Sequence, residues 1–113
     1  LVFILQRGVR FPQGPPYMAY VYFLISLTNN NTSYIGWTYD LKKRIKKHND
    51  GKGAKFTRGK KWKLIYFEVL KSKNLALKRE YELKKNKKLR NFIKNMFKNK
   101  NILDEKKNFI FFY

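Results

Sequence analysis

The sequence contains no cysteine and no long apolar run. Without cysteine, the chain can form neither a disulfide framework nor a zinc site with thiolate ligands. No stretch approaches the roughly 18 apolar residues that a membrane-spanning helix needs. The opening LVFIL segment is short and lacks the basic flank and the cleavage site of a secretory signal. These absences favour an intracellular protein, and we expect a cytoplasmic location.

Acidic residues are also scarce. The 113 residues include 7 Asp and Glu against 27 Lys and Arg, for a formal net charge of +20. A chain with this imbalance repels itself unless it meets a polyanion. An AT-rich genome would enrich lysine and asparagine, but it would not remove the acids. Nucleic acid is therefore the expected partner, ahead of an anionic membrane surface.

Glycine and proline are concentrated near the beginning of the chain, in RGVRFPQGPPYM. Because such a segment breaks any regular pattern, we expect residues 1–17 to be a disordered leader or a gene-model extension. The domain would then occupy residues 18–98 and be followed by a C-terminal tail, 99–113. The final NFIFFY segment is either an added strand or a loose apolar tail.

The domain itself alternates strand-like and helix-like patterns. The β-branched and aromatic runs predict strands, and Asp40 and Ser72 or Asn74 stand where helices are capped. A glycine-rich basic loop occupies residues 50–61. The predicted fold is α+β, with a small, mostly antiparallel three-stranded sheet flanked by helices in the order β-β-α-β-α-α. The predicted strands are Ala19–Thr28, Tyr34–Thr38 and Trp62–Leu70, and the predicted helices are Leu41–Asn49, Leu75–Leu89 and Arg90–Lys98.

Three ionisable residues fall on helix faces that should be apolar. In the first helix, Arg44 and His48 occupy positions i+3 and i+7 of a stripe that begins at Leu41. Glu80 points to the core side of the second helix in the same way. Buried charges need partners. One interpretation is a structural ion pair between Arg44 and Glu80; the other is a site where Arg44 binds a phosphate and Glu80 a metal ion.

Two tyrosines complete a recognisable pattern. Tyr22 and Tyr34 lie on the paired strands of the predicted hairpin, so they either bring both hydroxyls to one surface or belong to the core. YVY, YIG and the following DLKKRIKKHN resemble the motifs of the GIY-YIG nuclease superfamily. GKGAKFTRGKKWKLIYFE and ALKREYELKK resemble its small stand-alone bacterial members, which are related to the N-terminal cutting module of the excision-repair nuclease. The resemblance covers roughly residues 18–93, although the first motif has Tyr-Val-Tyr in place of Gly-Ile-Tyr.

The resemblance implies a metal-dependent DNA endonuclease that hydrolyses phosphodiester bonds, with little selectivity or with selectivity for DNA structure, in repair or recombination. Glu80 would hold one Mg²⁺ or Mn²⁺ ion, and Arg44 would clamp the scissile phosphate. One tyrosine would act on the attacking water after neighbouring cations lower its pKa. We favour Tyr22, with Tyr34 orienting it. The implied catalytic residues are Tyr22, Tyr34, Arg44, His48 and Glu80.

The basic loop is expected to contact the phosphate backbone of DNA with little base readout. The expected nucleic-acid-binding residues are Gly36, Lys55, Thr57, Arg58, Lys60 and Lys61. Asn86 and Asn91 are candidates for the polar residue that many relatives place after the glutamate. The competing interpretation is a nucleic-acid-binding protein that keeps the scaffold but cuts poorly or not at all. We expect a monomer and no membrane partner.

Overall fold

A central antiparallel sheet forms where the sequence has its β-branched and aromatic runs. In the computed structural model, which describes residues 2–5, 18–28, 32–98 and 109–112, the sheet has five strands in the order β3-β2-β4-β1-β5. Each neighbouring pair of strands is antiparallel. Strand β2, which lies between β3 and β4, is buried along its whole length, as its apolar sequence predicts. The strands are β1 (Val2–Leu5), β2 (Ala19–Ser26), β3 (Ser33–Thr38), β4 (Trp62–Leu70) and β5 (Phe109–Phe112).

The helices begin at side-chain caps. The Asp40 carboxylate accepts a hydrogen bond from the amide of Lys43, and the Ser72 hydroxyl accepts one from the amide of Leu75. Asn86 separates the second helix from the third, because its side-chain oxygen accepts from the amide of Leu89. The helices are α1 (Leu41–Asn49), α2 (Lys73–Lys85) and α3 (Lys87–Lys98), and a short 3-10 turn (Lys55–Thr57) lies in the basic loop.

Helices cover both faces of the sheet. Alternate residues of β2 point to opposite faces, so one face carries Tyr22 and Leu24 and the other carries Val21 and Phe23. The first face packs against α1 through Leu41 and Ile45. The second packs against α2 and α3, and its buried helix residues are Ala76, Leu83 and Ile93. The site therefore forms on a rigid, three-layer scaffold.

The predicted α+β class and antiparallel sheet are confirmed, and the three predicted strands occupy neighbouring positions β3-β2-β4. Several element boundaries were wrong: β2 ends at Ser26, β3 begins at Ser33, α2 spans Lys73–Lys85, and α3 begins at Lys87 because Asn86 caps it. Most of the expected leader and tail lies outside the described residues. Of those ranges the structure describes β1 and β5, which extend the sheet beyond β4. None of the helices in the described ranges has the length and hydropathy of a membrane-spanning segment.

Candidate active site

A gap in the surface of β3 positions the first site residue. Tyr22 on β2 lies opposite Gly36 on β3, the strand at the edge of the sheet. A β-carbon on Gly36 would lie 2.5 Å from the Tyr22 hydroxyl oxygen and 2.7 Å from Cζ, so the phenol occupies the space that a side chain would fill. Tyr22 therefore extends across Gly36 toward the sheet edge. Gly36, expected among the nucleic-acid-binding residues, makes room for Tyr22.

A chain of hydrogen bonds with a defined direction runs inward from Tyr22. The Thr57 hydroxyl donates to the carbonyl of Ala54 at 2.8 Å. Its oxygen is therefore the acceptor for His48 Nδ1–H, also at 2.8 Å. In a neutral imidazole the other nitrogen, Nε2, is then an acceptor, and the Tyr22 hydroxyl donates to it at 2.7 Å. The tyrosine oxygen in turn accepts from Arg44 Nε–H at 3.3 Å.

His48 is held in its neutral form. Its ring is fully buried, and a β-carbon on Gly53 would lie 2.5 Å from Nδ1, so this second glycine makes room for the imidazole. Burial lowers the pKa of His48 to about 4, and the positive charge of Arg44 adds to the effect. At neutral pH the ring is therefore unprotonated, and its Nε2 atom accepts the hydrogen bond from Tyr22.

Arg44 lowers the pKa of Tyr22, as expected of a neighbouring cation, but without a metal ion its effect is outweighed. Burial raises the pKa of Tyr22 to about 12, which outweighs the opposing hydrogen bond and charge of Arg44. The negative charge of Glu80 adds a small further increase. The hydrogen bond to Tyr22 raises the pKa of Arg44 above its ordinary value, and Tyr34 contributes in the same direction. Tyr22 is thus a neutral phenol that already points its proton at an acceptor.

Tyr34 joins this cluster through its ring. The ring centroids of Tyr34 and His48 are 4.9 Å apart, and those of Tyr34 and Tyr22 are 6.3 Å apart. On its outer side Tyr34 stacks with Phe56, whose ring is inclined by 19° and lies 6.3 Å away. The structure brings together Tyr22, Tyr34, Arg44 and His48, as the sequence predicts.

Glu80 lies in the opposite layer. α2 packs on the other face of the sheet, and the negative charge of Glu80 contributes to raising the pKa of Tyr22. The carboxylate is largely buried, with 17% of the side chain exposed, and it accepts from Lys84 Nζ at 2.6 Å. The structural alternative, an ion pair between Arg44 and Glu80, is not formed: Glu80 pairs with Lys84, and Arg44 donates to Tyr22.

The buried ion pair of the domain lies elsewhere. Glu68 on β4 is 5% exposed and accepts from Arg79 Nε at 2.7 Å and from the hydroxyl of Tyr66. Arg79 also bonds Glu82 at 3.1 Å. The pair joins the sheet to α2 one residue before Glu80. It therefore fixes the rotation of the helix that carries the candidate metal ligand.

The basic loop divides into surface and interior residues. Thr57 is fully buried, so the expectation that it contacts nucleic acid is wrong for its side chain. Lys61 is exposed and donates to the carbonyl of Asn49, and Lys60 lies over the Phe56 ring with Nζ 4.4 Å from the centroid. Lys55 and Arg58 are exposed. The lysines and the arginine remain candidates for phosphate contact.

Two contributors to the site were missed from sequence. Gly53 was treated as part of a flexible loop, and Thr57 as a surface residue, although together they hold His48. The signal was weak: a single histidine on an apolar stripe needs a polar partner, but nothing in the spacing identifies it. Asn86, a candidate for a polar site residue, caps α3 instead.

Fold and cluster together define a small α+β domain in which two tyrosines, an arginine and a histidine meet on one side of the sheet, with a largely buried glutamate on α2. Residues 18–98 match the GIY-YIG catalytic domain family. The chain therefore belongs to the GIY-YIG family, which supports a nuclease-type function. This confirms the resemblance seen in the sequence.

Several relatives are similar over the same region. A UPF0213 protein of Clostridium perfringens is 51% identical over 69 residues, which cover 60% of this chain and 72% of the relative. A UPF0213 protein of Streptococcus pyogenes is 47% identical over 70 residues (61% and 74%), and one of Bacillus velezensis is 44% identical over 64 residues (56% and 65%). Their names state no activity. No solved structure matches the chain.

Proposed function

We propose that this protein is a metal-dependent endonuclease that hydrolyses phosphodiester bonds in DNA. The observation that supports it best is the directed chain of hydrogen bonds from Arg44 through Tyr22 to His48. Membership of the family supports the class of reaction, and the net charge of +20 supports a polyanionic substrate.

The donor set fits one divalent ion. Among the described residues, no group of three or more His, Cys, Asp or Glu side chains is gathered to form a metal cage. Mg²⁺ is commonly held by one or two carboxylates, with water and substrate phosphate as its other ligands, and Glu80 supplies such a carboxylate. Glu68 does not, because Arg79 and Tyr66 bond it. A Mg²⁺ or Mn²⁺ ion bound to Glu80 would stabilise the negative charge that develops on the phosphate and leaving oxygen.

Tyr22 and His48 would move the proton of the attacking water. The Tyr22 oxygen can accept from water while its own proton passes to His48 Nε2, so no tyrosinate is needed beforehand. A phosphate at Arg44 would offset the guanidinium charge that lowers the pKa of His48 and would make the imidazole a stronger base. Thr57 would hold the ring in the required tautomer throughout.

Arg44 and the basic loop would bind the DNA backbone. Arg44 has five N–H donors, of which Nε–H goes to Tyr22, so its planar group can still contact phosphate oxygens. Lys55, Arg58 and Lys61 provide further exposed charges on the basic loop. We expect binding to weaken steeply with salt, with a slope of roughly −0.9 for each phosphate neutralised on duplex DNA.

Cleavage by the purified protein, with Mg²⁺ or Mn²⁺, on nicked, flapped and branched DNA tests the proposal. We expect Glu80→Ala and Arg44→Ala to abolish cleavage, with Glu80→Ala leaving affinity for DNA unchanged. Glu82→Ala is the matched control, because this neighbouring carboxylate is exposed and bonds Arg79. It should cleave like the wild type.

Two results would contradict the proposal. If the wild type cleaves none of these DNAs with either metal but binds them, the protein is a nucleic-acid-binding domain on a nuclease scaffold. If Glu80→Ala cleaves as well as Glu82→Ala does, the metal ligand has been assigned to the wrong residue.

A further inference from the structure

An exposed aromatic ring lies one residue away from the interior of the site. Phe56 is 53% exposed, whereas the next residue, Thr57, is fully buried and bonded to His48. The carbonyl of Thr57 also accepts from the indole nitrogen of Trp62 at 3.0 Å. Phe56 is therefore a surface ring on an anchored turn.

The position of this ring relates it to the reacting phosphate. Phe56 stacks with Tyr34, and Tyr34 contacts the rings of His48 and Tyr22. A strand whose phosphate lies at Arg44 would thus place an adjacent base near Phe56. Lys60 covers the ring in the free protein. Exposed cation–π contacts are weaker than base–aromatic stacking, so a base can displace Lys60 toward the phosphates of the same strand.

We propose that Phe56 is a stacking platform for an unpaired nucleobase beside the phosphate held at the site. Bases in an intact duplex are stacked on their neighbours and offer no free face, whereas those of single strands, flaps and loops do. The preferred substrate is therefore DNA with unpaired bases at the cleavage point. The inference rests on the proposed function, because it takes Arg44 as the phosphate site.

Binding without metal tests the platform separately from cleavage. Fluorescence anisotropy would compare the affinity of the full chain for a labelled oligothymidylate and for a blunt, fully paired hairpin. We expect Phe56→Ala to weaken binding to the single strand about tenfold and binding to the hairpin less than about twofold. Phe56→Trp should keep single-strand affinity. Phe92→Ala is the matched control, because Phe92 is similarly exposed, at 50%, on α3 across the sheet.

Photo-crosslinking adds a positional test. An oligonucleotide carrying 5-iodouracil should crosslink to the peptide that contains Phe56. The platform would be refuted if Phe56→Ala weakened single-strand and hairpin binding equally, if Phe92→Ala had the same effect, or if the crosslink formed at another aromatic residue. If the wild type does not cleave DNA but the binding and crosslinking results are as expected, only the nuclease proposal is refuted. If the wild type cleaves DNA but these results are not as expected, only the platform is refuted.

Discussion

The phenol of Tyr22 lies in the space that a side chain at position 36 would occupy. The two residues are directly paired across β2 and β3, and the absence of a β-carbon on Gly36 lets the ring extend to the edge of the sheet. There its hydroxyl accepts a hydrogen bond from the guanidinium of Arg44. A glycine on a strand thus determines where the central hydroxyl of the site is found.

Gly36→Ala should therefore displace Tyr22. A β-carbon would also lie 3.1 Å from Cε1 of Tyr34, so both rings must shift. We expect a loss of stability of about 1–3 kcal/mol and a loss of cleavage of about a hundredfold, measured by thermal melts and cleavage rates. Gly51→Ala is the control: its φ of +75° makes alanine strained, but nothing lies within 4 Å. That variant should lose stability and keep activity at low temperature. If both variants cleave at the wild-type rate, cleavage does not depend on the position of the Tyr22 ring.

Thr57→Val should disturb the tautomer of His48 while changing the shape of the side chain at position 57 very little. The substitution removes the acceptor of His48 Nδ1–H inside the core, at a cost of about 1–3 kcal/mol in stability. Cleavage should fall about tenfold or more, because the neutral ring loses the group that fixes its tautomer. As His48 is the single histidine of the chain, its nitrogen NMR signals report the tautomer directly. Thr57→Ser should restore both signals and rate; a wild-type tautomer in Thr57→Val would contradict the assignment.

Acid should destabilise the protein through His48. The pKa of histidine is near ~6.5 in the unfolded chain and about 4 in the folded one. Between these values the unfolded chain binds more protons, so stability from this group is complete above pH ~6.5 and is lost as the pH falls through about 4, by about 3 kcal/mol in total. Urea unfolding from pH ~4 to ~7 measures the loss. The His48→Gln variant shows how much of the pH dependence comes from the carboxylates. Its free energy of unfolding should be lower at neutral pH and should change less with pH across this window. Equal slopes in both proteins would refute the prediction.

Much of this site could be predicted from sequence because its residues recur at the spacing of one helix face or one strand face. The stripe of Leu41, Ile45 and His48 is buried as its period indicates, and Asp40 caps the helix as expected. Period alone also placed Glu80 on the inward side of α2. These are local relationships, which spacing along the chain records.

What sequence could not provide depends on contacts between distant segments. Thr57 follows His48 by nine residues through an irregular loop, and only the folded path shows that the two side chains meet. The pKa of Tyr22 is raised by burial and lowered by the hydrogen bond and charge of Arg44. Composition does not show which of these effects is larger. The sequence also did not show which face of β4 carries Glu68, the partner of Arg79. Either face of a strand that is buried on both sides can hold a carboxylate.

Lys84→Ala should improve metal binding. Its ammonium lies 2.6 Å from Glu80 Oε1 and would compete with a divalent ion for that oxygen. Because the lysine is half exposed, we expect a change in stability below about 0.5 kcal/mol and an increase of a few-fold in Mn²⁺ affinity by calorimetry. Lys85→Ala removes the same charge from the next position, where the lysine lies over Tyr81 instead. If the two variants bind Mn²⁺ equally well, net charge rather than competition at Glu80 accounts for the effect.

The exposed outer face of α2 has a practical consequence. Of the residues of α2, which the structure describes in full, only Ala76 and Leu83 are completely buried, and the Glu68–Arg79 pair joins the helix to the sheet. Positions such as Lys78 and Tyr81 are therefore open to dyes, immobilisation handles or altered charge. A reporter at Lys78 would lie two residues from Glu80, close enough to follow metal or DNA arriving at the sheet edge while the fold stays intact.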